Sequence, residues 1–242
     1  IQTPLLLARS GIRSPHLGHH FQAHPGCEVV GLFDRPVRMW SGATQGYEID
    51  EYRNTHRAKL ETVALPPELY FATLPGIGRR WVRAMASSEN AASWAIALRA
   101  RAEGRVRERF GRASISFTLA PADMDDLRGS LRRIAELLFA AGARAVLPAV
   151  RGLPDQIGRD ELGLLDRAPR DPGAYSFILS HLFGTARMSV NVSDGVVGPD
   201  FAVHGRRGAY VVDSSIFPTN LGVNPQHTIM AVAMHAAEGI GG

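Results

Sequence analysis

Cysteine occurs once, at Cys27, which excludes an intrachain disulfide and a thiolate metal cluster. Lysine also occurs once, at Lys59, so the basic charge is carried almost wholly by arginine. No apolar run approaches the ~18 residues of a transmembrane helix. Glycine is plentiful, yet no strand is followed by G-x-G-x-x-G. The nearest pair, Gly76 and Gly78, runs into Arg79-Arg80-Trp81 with no strand pattern before it. A self-contained dinucleotide-binding unit of that kind is therefore absent from these residues. There are no internal repeats and no low-complexity tract. The chain opens at Ile1 with no leader pattern, which leaves the compartment open, with the cytoplasm favoured.

What is present is ordinary for a globular chain. The 242 residues are 45% apolar and 21% charged, enough for one or two domains with a buried core. The net charge of +4 is a solvated, arginine-rich surface rather than a nucleic-acid footprint. Residues 1–12 read as a helix with Pro4 in its first turn. Cys27–Asp34, Arg38–Ile49, Arg144–Val150 and Tyr175–Phe183 read as strands. Arg112–Leu119 alternates apolar and polar residues, as a half-buried strand does. Ser88 is placed to cap a helix over 89–103. Asp123 is placed to cap one over 123–141, with Leu127, Leu131, Ile134 and Leu138 as its apolar stripe and Gly142 as its stop. This mixture is α+β: strands that do not alternate strictly with helices.

Arg13–Pro25 holds four histidines, His16, His19, His20 and His24. Imidazole is a common metal ligand, but Pro15, Gly18 and Pro25 break any helix that would align them, so a structural loop is the expectation and no metal is assigned. Ala209–Asp213 reads as a short buried strand ending in a carboxylate. Ser214–Val223 follows as a loop. Asn224-Pro225 then has the form of a helix start, with Asn as cap and Pro at the first helical position. Ile229, Val232, Ala233, Ala236 and Ile240 fall on one face of that helix. Strand, carboxylate, loop and helix N-terminus together suit an anionic cofactor.

Four blocks carry a more specific signal: His181-x-x-Gly184-Thr185-x-Arg187-Met188, Val203-His204-Gly205, Tyr210-Val211-Val212-Asp213-x-Ser215-x-Phe217-Pro218-Thr219, and Asn224-Pro225-x-x-Thr228-Ile229-Met230. In this order they resemble the C-terminal signature of the glucose–methanol–choline (GMC) family of FAD-dependent oxidoreductases. Ile1–Leu7 and Ser10-Gly11-Ile12 resemble that family's flavin-domain helix more faintly. Residues around 50–170 carry little family signal. The resemblance implies an α+β / α/β fold: an antiparallel substrate-domain sheet with helices, beside a strand and helices of an FAD-binding domain whose N-terminal Rossmann unit is absent. It implies flavin-domain segments at 1–24 and 184–242 and a substrate-binding domain at 25–183. The missing fingerprint implies a C-terminal part of a longer enzyme, or one piece of a split one, that does not hold FAD alone.

Alcohol oxidation needs a hydride acceptor, which no side chain provides, and a base for the hydroxyl proton. His181 sits at the position the GMC family uses for that base, and Asn224 at its second active-site position. An amide can orient an alcohol but cannot serve as the base. His227 is nearby and is given no role. The resemblance places Asp213 and Ser214, then Asn224, Pro225, Gln226 and Thr228, about the FAD. His24-Pro25 and Gly31-Leu32-Phe33-Asp34-x-Pro36-Val37 look like the long-chain alcohol oxidase branch, which implies an apolar alcohol. A flavin-bound lyase and a non-catalytic subunit are the alternatives.

Overall fold

The computed structural model describes residues 1–74 and 77–240, so Pro75 and Gly76, expected in a loop, lie outside the described residues. In chain order the elements are α1 (Gln2–Arg9), β1 (Gln22–Gly26), β2 (Glu28–Leu32), β3 (Glu48–Ile49), β4 (Ala58–Thr62), α2 (Pro67–Thr73), α3 (Arg79–Met85), β5 (Ala91–Leu98), β6 (Arg105–Arg109), β7 (Arg112–Ser116), α4 (Pro121–Ala140), β8 (Ala145–Leu147), α5 (Gly163–Asp166), β9 (Ile178–Phe183) and α6 (Gln226–Ile240). The chain forms two compact units: residues 1–24, 99–120 and 179–242, and residues 25–98 and 121–178.

The second unit is built on a five-stranded sheet of order β3-β4-β5-β2-β8. Its pairs are antiparallel throughout. α4 lays Leu127, Leu131, Ile134 and Leu138, all buried, against the sheet. Gly142, at φ +96°, lies just past its end, where a left-handed residue is easiest for glycine. A separate cluster joins Val30, Leu32 and Leu147 of the sheet to Tyr70 and Leu74. Lys59 on β4 is buried between Glu61 on its own strand, at 2.7 Å, and Glu48 on β3, at 3.0 Å.

The first unit has little regular sheet. β1 pairs with β9, and β6 with β7. One core cluster joins Leu7 and Ile12 to Phe183, Val197, Val211 and Ala236. Another joins Leu5, Phe21, Ala23 and Val106.

Several sequence expectations need correction. The helix expected over 89–103 is β5. An Ala-rich apolar run has no period that separates a buried helix from a central strand. Here β2 and β4 pair with its two edges and decide the matter. The strand expected over 38–49 reduces to Glu48–Ile49, the rest being turns. β7 is a strand, but all five of its residues are exposed, because it forms a two-stranded hairpin with β6 and no second layer covers it. α4 starts at Pro121, so Asp123 lies in its first turn rather than at its cap. Ala209–Asp213 is no regular strand: it makes the single bridge Ala202↔Tyr210, and Tyr210 is 47% exposed. α6 begins one residue late, at Gln226, with Pro225 O accepting its first bond from Ile229 N–H at 2.8 Å. Of its expected face, Ala236 is buried and Ile229 and Val232 are half-buried, but Ala233 and Ile240 are exposed.

Candidate functional site

The sequence blocks that carry the family signal meet in the first unit through backbone hydrogen bonds. Ala186 N–H donates to Ser215 O at 2.9 Å and Met188 N–H to Ile216 O at 2.7 Å, which zips the 184–188 segment to the turn after Asp213. His204 N–H donates to Val196 O at 3.0 Å and Val211 N–H to Phe201 O at 3.0 Å, which ties in the segments around 204 and 211, while Ile229 packs on the same core cluster. Gly184 makes the turn that leads out of β9. Its φ is +84°, and a Cβ there would stand 2.1 Å from the His20 carbonyl oxygen, so both conformation and space demand glycine.

His181 lies in β9, half-buried, with φ +53°. A non-glycine residue in the left-handed region stores strain, and such residues concentrate at functional sites. Its Nδ1 lies 3.1 Å from Nδ1 of His24 on β1. His24 is fully buried, and Gly222 N–H donates to its Nε2 at 3.0 Å. Two residues past Gly222 stands Asn224, half-buried. Asn220, also buried, donates from Nδ2 to Ala100 O at 2.9 Å and from its backbone N–H to Gln22 Oε1 at 2.8 Å.

Asp213 has both carboxylate oxygens engaged. Oδ1 accepts from Ser215 N–H at 2.7 Å, capping the turn Ser214–Ile216, and Oδ2 accepts from the Thr3 hydroxyl at 2.6 Å. Thr3, Thr185, Asp213, Ser214 and Ser215 line a cleft of about 290 Å³. The Ser215 hydroxyl is buried with no hydrogen-bond partner. Past the loop, Pro225 is buried, Gln226 and His227 are exposed and Thr228 is half-buried.

The other histidines of the 13–25 segment go elsewhere. His16 Nδ1 meets His20 Nε2 at 3.1 Å, His16 Nε2 reaches Ser193 O at 2.6 Å, and His20 Nδ1 reaches Glu103 at 2.9 Å. Burial, then Arg105 and further basic neighbours, push the His19 pKa down. Among the described residues no group of three or more His, Cys, Asp or Glu is placed to hold a metal ion. Arg187 of the family block donates to Asp194 O at 2.8 Å and so shapes the loop. None of the described helices is long and apolar enough to cross a membrane.

The second unit has its own cavity, about 480 Å³, lined by Glu28, Val30, Tyr70, Leu147, Tyr175 and Phe177 among others. Burial pushes the Glu28 pKa up. Cys27, next in sequence, is buried, and burial followed by the Glu28 charge pushes its thiol up to about 12.

Sequence reasoning singled out His181, Asp213 and Asn224. It did not find Thr3, 210 positions from its partner, nor the use of Gly222 N–H, because neither leaves a local signal. His24 was visible as a histidine beside a proline, but its pairing with His181 is a contact across 157 positions.

One compact unit is an antiparallel sheet with helices, and the other is loop-built and holds the family blocks. The chain belongs to the GMC oxidoreductases: the family's C-terminal model matches residues 100–233, more than half of the sequence. An uncharacterised GMC-type oxidoreductase of Mycobacterium tuberculosis is 33% identical over 98% of this chain and 38% of its own length. A long-chain-alcohol oxidase of Arabidopsis thaliana is 28% identical over 96% of this chain and 33% of its own. The chain thus spans well under half of these relatives. Among solved structures, the Aspergillus oryzae formate oxidase, studied for its FAD modification, superposes with a TM-score of 0.68 at 18% identity, covering 98% of this chain and 52% of that one.

Proposed function

We propose that the chain is the C-terminal part of an FAD-dependent oxidoreductase acting on the CH–OH group of an alcohol, with His181 as general base and Asn224 orienting the hydroxyl. The observation that carries this reading is His181 itself: a half-buried imidazole in strained backbone, gripped by a second, buried imidazole, inside the family-matched segment. A bound FAD would supply the hydride acceptor that no side chain can be.

The residues present fit that cofactor. The cleft at Asp213 offers a carboxylate with lone pairs beyond the two already used, and a buried Ser215 hydroxyl that lacks a partner, which suits a polyhydroxylated chain. Ser214 lines the same cleft. Asn224 and Pro225 lead into α6, and Gln226 and Thr228 lie in its first turn, whose amides and dipole would favour negative charge at the flavin ring. His181, in the tautomer that leaves Nε2 bare, would take the hydroxyl proton as the hydride leaves carbon, and the Asn224 amide would hold the oxygen. The kinship with long-chain-alcohol oxidases supports an apolar alcohol as substrate.

In the same reading, segments 1–24 and 184–242 belong to the flavin-binding domain and 25–183 to the substrate-binding one. In its favour, one compact unit holds residues 1–24 together with the family blocks. In this reading the site is completed by a flavin-binding segment outside these residues, on the same or a separate chain; in its favour, the chain covers 38% of the M. tuberculosis relative.

The test is anaerobic mixing of the complete, flavin-loaded enzyme with primary and secondary alcohols. The flavin absorbance should bleach. His181→Ala should slow bleaching by roughly 10²–10⁴-fold while the flavin stays bound. Asn224→Ala should slow it less, and Asp213→Ala should lower flavin content more than turnover per flavin. A panel of alcohols that leaves the wild-type flavin oxidised would discard the oxidase reading in favour of a non-oxidising lyase.

A further inference from the structure

The protons shared by His24 and His181 can be counted. A backbone amide only donates, so the Gly222 N–H at 3.0 Å makes His24 Nε2 an acceptor, without a proton. The single proton of a neutral imidazole must then sit on His24 Nδ1. That nitrogen lies 3.1 Å from Nδ1 of His181, so His24 donates and His181 accepts. Neutral His181 in turn carries its proton on Nε2. Reversing the pattern would place a proton on His24 Nε2, against the Gly222 N–H. The rings stand at 75° with centroids 5.2 Å apart, and Phe183 lies against His24 at 5.1 Å, so packing holds the donor in line. The Ser180 hydroxyl, 3.3 Å from the same His181 nitrogen, adjusts to either arrangement by rotation.

We infer that His24 is a positioning residue that locks the tautomer of His181, so that neutral His181 presents an N–H, not a lone pair, from Nε2. The inference rests on the reading that His181 meets the substrate oxygen. It adds that His181 first grips that oxygen as a donor. Its Nε2 becomes a proton acceptor only in the other tautomer, reached when solvent water takes the proton from Nε2 and delivers one to Nδ1 as the His24 hydrogen bond is given up.

The experiment is ¹⁵N NMR of histidine-labelled, flavin-loaded enzyme, which distinguishes protonated from bare imidazole nitrogens. In wild type, His24 should show its proton on Nδ1 and His181 on Nε2. His24→Leu removes the donor and should shift the His181 tautomer ratio by roughly tenfold, the worth of one net hydrogen bond. His24→Gln keeps an amide that can donate to His181 and accept from Gly222, and should restore the single Nε2–H form. A wild-type His181 protonated on Nδ1, or an unchanged His181 tautomer in His24→Leu, overturns the inference. The wild-type spectrum alone decides if the leucine variant does not fold. Failure of His181→Ala to slow flavin bleaching would retire the base assignment and leave these spectra standing.

Discussion

The two compact units achieve order by different means. The second spends its residues on a five-stranded antiparallel sheet backed by a 20-residue helix, so its backbone groups are paired by repetition. The first holds the family blocks with short hairpins, isolated bridges and single side-chain contacts such as Thr3–Asp213 and His24–His181. Of the described non-glycine residues with positive φ, His20, Phe110, His181 and Phe201 lie in it, and Arg38, Arg57 and Ala149 lie in the second, outside its strands and helices. A regular sheet dilutes the cost of any one residue over many pairs. A loop-built site concentrates that cost on a few positions, which is where chemistry can use strain.

The comparison breaks first under core truncation. Leu131→Ala in α4 should cost about 2–5 kcal/mol, because the side chain is fully buried and the cavity cannot close. Hydrogen exchange should then accelerate in β2, β5 and α4. Equal acceleration across residues 179–223 would show that the units do not unfold separately.

Gly184→Ala strikes the other unit. The left-handed conformation alone costs about 1–3 kcal/mol, and the Cβ meets backbone oxygen rather than a yielding side chain. Exchange should rise around 181–188 and 214–217 while β2 and β5 stay protected. The opposite pattern would remove the contrast drawn here.

The smallest effect expected is that of Glu28→Gln. Burial raises the folded-state pKa of Glu28 above its ordinary 4.5. The folded protein therefore holds that proton more tightly than the unfolded chain does. Stability from this group is fully present below pH 4.5 and is lost as pH rises through the folded value. Thermal melts should show Glu28→Gln gaining on wild type as pH rises to 8, with the gap closing toward pH 4. A gap that widens in acid would mean that the carboxylate is held charged by a partner.

The two units were also unequally legible in the sequence. The blocks at 181–188 and 210–230 declared themselves because glycine, histidine, aspartate and proline are chosen there for specific backbone or chemical reasons. What they could not reveal was pairing: Thr3 with Asp213, and Gly222 with His24, are contacts between segments about 200 positions apart. In the second unit α4 was legible from its own period and its closing glycine. β5 was not, because an alanine-rich run takes its conformation from β2 and β4 rather than from itself.

The solitary lysine and the solitary cysteine have a practical corollary. Lys59 and Cys27 are 2% and 5% exposed, and both lie in the second unit. Amine-directed cross-linkers and thiol-directed dyes therefore have no side-chain handle on the surface of the folded chain. Reaction at these two side chains requires the sheet to open, so labelling located at Lys59 or Cys27 becomes a clock for the opening of β4 and of the β1–β2 junction.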